Sequence, residues 1–178
     1  MKHLHLHRRS WLLLLGLCLA LTVGGASAQT CKYDSIRATA PASRFTDNGD
    51  GSVTDKATGL QWKRCSEGQT WDGTACAGAA TTHTWQSALQ LAGGVNYAGL
   101  NDWRLPNLKE LASIVEQACF DPAVNLAIFP VTPSSTFWSS SPSALSGDTA
   151  WIVHFHGGDI WYDGKLTGFN VRLVRGGQ

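Results

Sequence analysis

Leaving aside Cys18 in the apolar run near the start of the chain, four cysteines, Cys31, Cys65, Cys76 and Cys119, are the residues best suited to covalent or metal chemistry. They have the ligand count of a structural zinc site and the even count of a disulfide framework. Structural zinc favours closely spaced cysteine knuckles, and no Cys-x-x-Cys pair occurs here. Disulfides are therefore expected, and four cysteines allow three pairings. Cys65 and Cys76 bracket a short Gly/Asp/Thr loop, which favours Cys65–Cys76 and leaves Cys31–Cys119. Closing a loop of about ten residues stabilises by roughly 2–3 kcal/mol on the chain-entropy view, and a loop of about ninety somewhat more.

Other residue groups have ligand-like spacing. His154 and His156 lie two apart, so on a strand they share a face and could chelate a transition metal given a third ligand. The reading favoured is the polar side of an amphipathic strand. Asp47-Asn48-Gly49-Asp50-Gly51 suggests a calcium loop, but the twelfth-position glutamate is missing, and a hairpin turn accounts for the composition. Trp71 and Trp161 stand among polar turn residues, where an indole can serve as a platform for a sugar ring. Lys109, Arg172 and Arg175, with Arg104, are the cations that could gather on a sulfate or carboxylate, and Arg172 is expected to be the more exposed.

Catalytic signatures are missing. The chain has no Gly-x-Ser-x-Gly elbow, no His-Glu-x-x-His helix and no phosphate loop. With those four cysteines paired, no thiol remains as a nucleophile after residue 28. No catalytic residue, cofactor or metal is expected.

The elements that must position these groups read as follows. Phe45 to Trp62 is a run of short strands and turns. Residues 66–83 form a small-residue loop. Thr84 caps a helix in which Trp85, Ala88, Leu89 and Ala92 fall at helical spacing before Gly93-Gly94. Asn107 followed by Glu110 has capping-box spacing, and Pro106 biases Leu105 toward extended backbone, so a second helix is expected from about 108 to 117. Phe137 to Ser139, Trp151 to His156 and Asn170 to Arg175 are expected strands. Trp151, Val153 and Phe155 should face one way and Ile152, His154 and His156 the other. The fold class is α+β: two helices packed on short antiparallel strands, stabilised by disulfides.

The start of the chain reads as a secretory leader, residues 1–28: Lys2, Arg8 and Arg9, an apolar run from Trp11 to Val23, then Ala26-Ser27-Ala28. Its removal leaves 150 residues, a short tail (29–44) and one domain (45–178), with no remaining membrane span. It also takes away three cations and no acids, moving the formal charge from +1 to −2. A nucleic-acid partner thereby loses its main support.

Several stretches resemble one family. They are Phe45 to Asp55, Thr58-Gly59-Leu60-Gln61-Trp62, Thr84 to Leu89, Asp102-Trp103-Arg104-Leu105-Pro106, Phe137 to Ser141 and Val171 to Arg175. Their joint order resembles the Lcl C-terminal domain family, named after a Legionella collagen-like adhesin. The resemblance implies a secreted or envelope domain, a C-type-lectin-like fold and binding of sulfated glycans. This chain has no collagen-like Gly-x-y repeat. The Trp-Arg-Leu-Pro piece is also similar to the formylglycine-generating enzyme superfamily, an alternative that needs free reactive cysteines.

The expectation is thus an exported, non-enzymatic module in the periplasm or at the bacterial cell surface, binding an acidic or sulfated glycan. The alternatives are a structural part of a fimbrial or envelope assembly with an envelope-protein partner, and a divergent oxidase.

Overall fold

The computed structural model describes residues 28–176, so the expected leader lies outside the described residues except for Ala28. Both helices begin where their capping residues stand. The first, α1 (Trp85–Gly94), is capped by Thr84, whose side-chain oxygen accepts the Ser87 N–H. The second, α2 (Leu108–Ser113), has a complete capping box: Asn107 Oδ1 accepts the Glu110 N–H, and the Glu110 carboxylate accepts the Asn107 N–H. It ends a turn before the expected 117. The Arg44 guanidinium takes the Ser113 carbonyl, and Val115 leaves the helix to bridge Val124.

The strands are short, in keeping with the dense turn residues. In chain order they are β1 (Thr30–Cys31), β2 (Phe45–Asp47), β3 (Ser52–Asp55), β4 (Gln61–Lys63), β5 (Thr70–Trp71), β6 (Cys76–Ala77) and β7 (Thr82–His83). After the helices follow β8 (Cys119–Phe120), β9 (Thr136–Pro142), β10 (Thr149–His154), β11 (Asp159–Gly164), β12 (Phe169–Asn170) and β13 (Val174–Arg175). A five-stranded sheet has the order β11-β10-β9-β12-β7, and a four-stranded sheet the order β13-β4-β3-β2. All pairings are antiparallel except the single β12–β9 bridge. The class is α+β, as expected. The supposed small-residue loop holds the β5–β6 hairpin and β7.

The five-stranded sheet separates two apolar cores. On one side Phe137, Val153 and Phe155 meet Leu111 of α2 and Val53, Trp62 and Val174 of the smaller sheet. On the other, Trp138, Ala150 and Ile152 meet Ala88 and Ala92 of α1. The alternation along β10 is therefore real, but it points to two cores rather than to core and water. Ile152, expected on the polar side, is buried for that reason.

The closing stretch also differs from expectation. Asn170 to Arg175 is not one strand, because β12 belongs to one sheet and β13 to the other. Residues 171–173 cross between the sheets, where Val171 O accepts from Glu67 N–H and Leu173 O from Lys63 N–H. Both faces of this crossing are inside, so Arg172, expected to be exposed, is fully buried. Its guanidinium donates to Lys63 O, Arg64 O, Ser66 Oγ and Thr132 Oγ1, and it lies 4.7 Å from the Phe129 ring centroid. Burial pulls its pKa down to about 9, against the pull of the Glu67 carboxylate, so it is charged at neutral pH.

Both expected disulfides are closed, Cys31–Cys119 across 88 positions and Cys65–Cys76 across 11. The first joins β1 to β8, and the buried Glu116 carboxylate accepts the N–H groups of Thr39 and Ala40 at 3.0 Å. Residues 29–44 are thus bonded to the body along their length.

Replacing Arg172 with Leu leaves four oxygens facing an apolar side chain. Each unmet buried acceptor costs about 1–3 kcal/mol, so urea unfolding of R172L should show a loss of at least about 3 kcal/mol. Acid should act through the paired carboxylates. Burial alone would raise Asp55 and Glu110, but hydrogen bonds and charge from Arg44 and Arg104 outweigh it and hold both below the ordinary carboxylate range. Depressed values stabilise the fold above that range, and the contribution vanishes as pH falls through them. The thermal midpoint should be flat from neutral pH to about 5 and fall below about 4; Asp55→Asn should lower the plateau and blunt the fall.

Candidate ligand-binding surfaces

The residues expected to form a site do not come together. Arg172 is sealed between the sheets. Arg175 donates to both carboxylate oxygens of Asp102, at 2.7 and 3.0 Å, and to Gln61 Oε1. Arg104 makes two 2.7 Å bonds to the Glu110 carboxylate and a third to Gly176 O. Lys109 is exposed on α2 with no ion-pair partner among the described residues, beside a hollow of about 260 Å³ formed with Thr58, Leu60 and Ser113. No cluster of unneutralised guanidiniums forms among the described residues: Glu110, six positions on, claims Arg104, the distant Asp102 claims Arg175, and carbonyl and hydroxyl oxygens claim Arg172.

Trp71 is not a free platform either. The Arg64 guanidinium lies 4.4 Å from its ring centroid, and a Cβ at Gly51, where φ is +83°, would stand 2.6 Å from the indole. That close approach explains the glycine. Trp85, Trp103 and Trp138 send their ring N–H groups to the carbonyls of Ser139, Tyr97 and His83, so they build the body.

Trp161 is different. It is 64% exposed, and it sits in the middle of β11, not in a turn. The sequence concealed this because Asp159-Ile160-Trp161-Tyr162-Asp163-Gly164 carries turn formers at both ends. The register pairs Trp161 with Ile152, Asp159 with His154 and Asp163 with Ala150. Directly opposed residues share a face, so Asp159, Trp161, Asp163 and His154 form one surface. The His154 Nδ1 accepts the His156 N–H, which makes Nε2 the donor of the neutral ring. Asp163 Oδ1 is used by Gly164 N–H and Thr167 Oγ1, leaving its second oxygen for a ligand. The arrangement is an exposed indole flanked by two carboxylates and an imidazole on a fixed strand. On the opposite face Tyr162 packs edge-on against Trp151, with centroids 5.7 Å apart.

A second concavity, about 540 Å³, lies between α1 and residues 103–107, lined by Leu89, Ala92, Arg104, Asn107, Glu110 and Ser140. Its charges are the internally paired Arg104 and Glu110, and its tryptophan, Trp103, is 2% exposed. It offers little unsatisfied chemistry.

Metal chemistry finds no assembled ligand set. The Asp47–Asp55 stretch is a hairpin in which Asp47 accepts Gly49 N–H and Asp50 accepts Ser52 N–H. His156 packs on Phe120, His83 bonds Thr81, and no group of three or more His, Cys, Asp or Glu is gathered among the described residues. The described cysteines are all in disulfides, which denies an oxidase the thiols it would need. No helix among the described residues is long and apolar enough to cross a membrane.

No curated protein matches the chain. Its sequence does match the Lcl C-terminal domain over residues 51–175, a span that holds the five-stranded sheet, three strands of the four-stranded sheet, both helices and the Trp161 face, but neither β2 nor Cys31. With most of its length covered in this way, the chain belongs to the Lcl C-terminal domain family, which is associated with adhesins and is not a known enzyme family.

Proposed function

We propose that this chain is an exported, non-enzymatic binding domain that takes carbohydrate on the Trp161 face of β11. The observation that carries the reading is an indole 64% exposed on a rigid strand, with hydrogen-bonding groups on both sides. A sugar ring presents an apolar face to such an indole and hydroxyls to the acceptors around it. Asp159 and Asp163 are acceptors only, so they suit the hydroxyls of a neutral sugar. They repel sulfate and carboxylate groups.

The ligand class therefore departs from the sulfated glycan that the resemblance implies. Of the expected contacts, Trp161 is retained. Arg172 is buried, Arg175 is neutralised by Asp102, Trp71 is covered, and Lys109 stands alone. The leader pattern and two disulfides support an oxidising destination, the periplasm or the cell surface. The C-type-lectin-like architecture belongs to the same proposal, supported by two helices on antiparallel sheets with two staples. A role in an envelope assembly is the second reading, favoured by the open edge of β11.

Arrays carrying neutral and sulfated glycans separate the possibilities. The protein should bind neutral glycans with an affinity that hardly changes with salt, and a heparin column should not retain it. Trp161→Ala should weaken binding at least tenfold, about 1.4 kcal/mol, and shift unfolding stability by no more than about 0.5 kcal/mol. Salt-sensitive heparin binding that is indifferent to W161A would sink the proposal.

A further inference from the structure

Among the described residues, β11 has a neighbour on one side only. It is the edge of the five-stranded sheet, with Ile160, Trp161 and Tyr162 at 46%, 64% and 43% exposure. The ladder fixes which backbone groups are open. Lys165 N–H donates to Asp148 O, which continues the β10–β11 register one step, and Phe155 N–H donates to Ser135 O on the β9 side. Alternation from both points turns the peptide groups of Asp159, Trp161 and Asp163 toward β10. The N–H and C=O of Ile160 and Tyr162 then point outward, away from the sheet. At Gly164 the outward groups are already used, the N–H by Asp163 Oδ1 and the C=O by Thr167 N–H. The open edge is thus two residues long and ends in a turn.

An apolar open edge is a template for another strand. Charge selects which one. A second copy paired symmetrically about Trp161 would set Asp159 against Asp163 twice, and β11 has no cation of its own to relieve them. Like charges directly opposed are destabilising, so the two aspartates guard the edge against self-pairing. They also leave two carboxylates, four residues apart on one face, for a partner to neutralise.

We propose that the β11 edge adds an extended segment of another protein with the pattern Lys/Arg-x-apolar-x-Lys/Arg. Its apolar residue lies opposite Trp161 and its cations opposite Asp159 and Asp163. Its backbone exchanges hydrogen bonds with Ile160 and Tyr162.

The probe is the peptide acetyl-Lys-Thr-Val-Thr-Lys-amide, with a Glu-Thr-Val-Thr-Glu version as control, added to the purified disulfide-bonded protein. Amide exchange read by NMR should slow at Ile160 and Tyr162 and stay unchanged at Trp161, whose N–H is already bonded within the sheet. The lysine peptide should bind at least tenfold tighter than the control, and Asp159→Asn with Asp163→Asn should bring the two within about twofold. Tyr162→Pro removes an outward N–H, which an edge strand tolerates, together with the ring packed on Trp151; it should weaken the peptide at least tenfold without affecting glycan binding, whereas Tyr162→Ala, which removes the ring and keeps the N–H, should leave the peptide within about threefold. Equal binding of both peptides, unchanged exchange at Ile160 and Tyr162, or indifference to Y162P overturns the proposal. So does a dimer in sedimentation that Y162P dissociates, because the occupant would then be another copy of the chain.

Discussion

The architecture depends on a guanidinium removed from water. Arg172 occupies the short crossing where the chain leaves one sheet for the other, and its hydrogen bonds reach Lys63, Arg64, Ser66 and Thr132. Those four residues lie in the β4 exit and in the loop before β9. One side chain therefore ties together three stretches far apart in sequence. The Phe129 and Phe137 rings beside it exclude water, which makes each of these bonds costly to lose. A cation so placed is structural, and the sheets it joins hold β9 and β10, against which β11 is laid.

Much of this architecture was legible in local chemistry. The Asn107–Glu110 capping box, the Thr84 cap and the Asp47–Asp55 hairpin depend on residues within a few positions of one another, and all three form. The cysteine pairing was legible because one short loop leaves one remaining partner. What was hidden depends on tertiary layering. Ile152 and Arg172 have the alternation of a half-exposed strand, but a second layer covers the face that would otherwise be wet. Arginine at a polar-looking position says nothing about burial until the neighbouring carbonyls are in place.

The same reasoning explains why the site differs from its sequence outline. Of the cations expected to bind an anion, Arg104 and Arg175 are neutralised by Glu110 and Asp102, Arg172 is sealed among carbonyl and hydroxyl oxygens, and Lys109 stands alone. The opposite happened at Trp161. Flanking aspartates and a glycine disguised a strand as a turn, and only the register with β10 shows that Asp159, Trp161 and Asp163 share a face. The chain thus carries an aromatic, acid-flanked strand on a scaffold closed by two disulfides, which hold all of its described cysteines.

The most direct measurement is the indole N–H spectrum of the nitrogen-15-labelled protein during titration with a neutral oligosaccharide. The account predicts that the Trp161 signal shifts with saturation while those of Trp62, Trp85, Trp103 and Trp138 stay fixed. Movement confined to the other indoles, or shifts caused only by heparin, would contradict it.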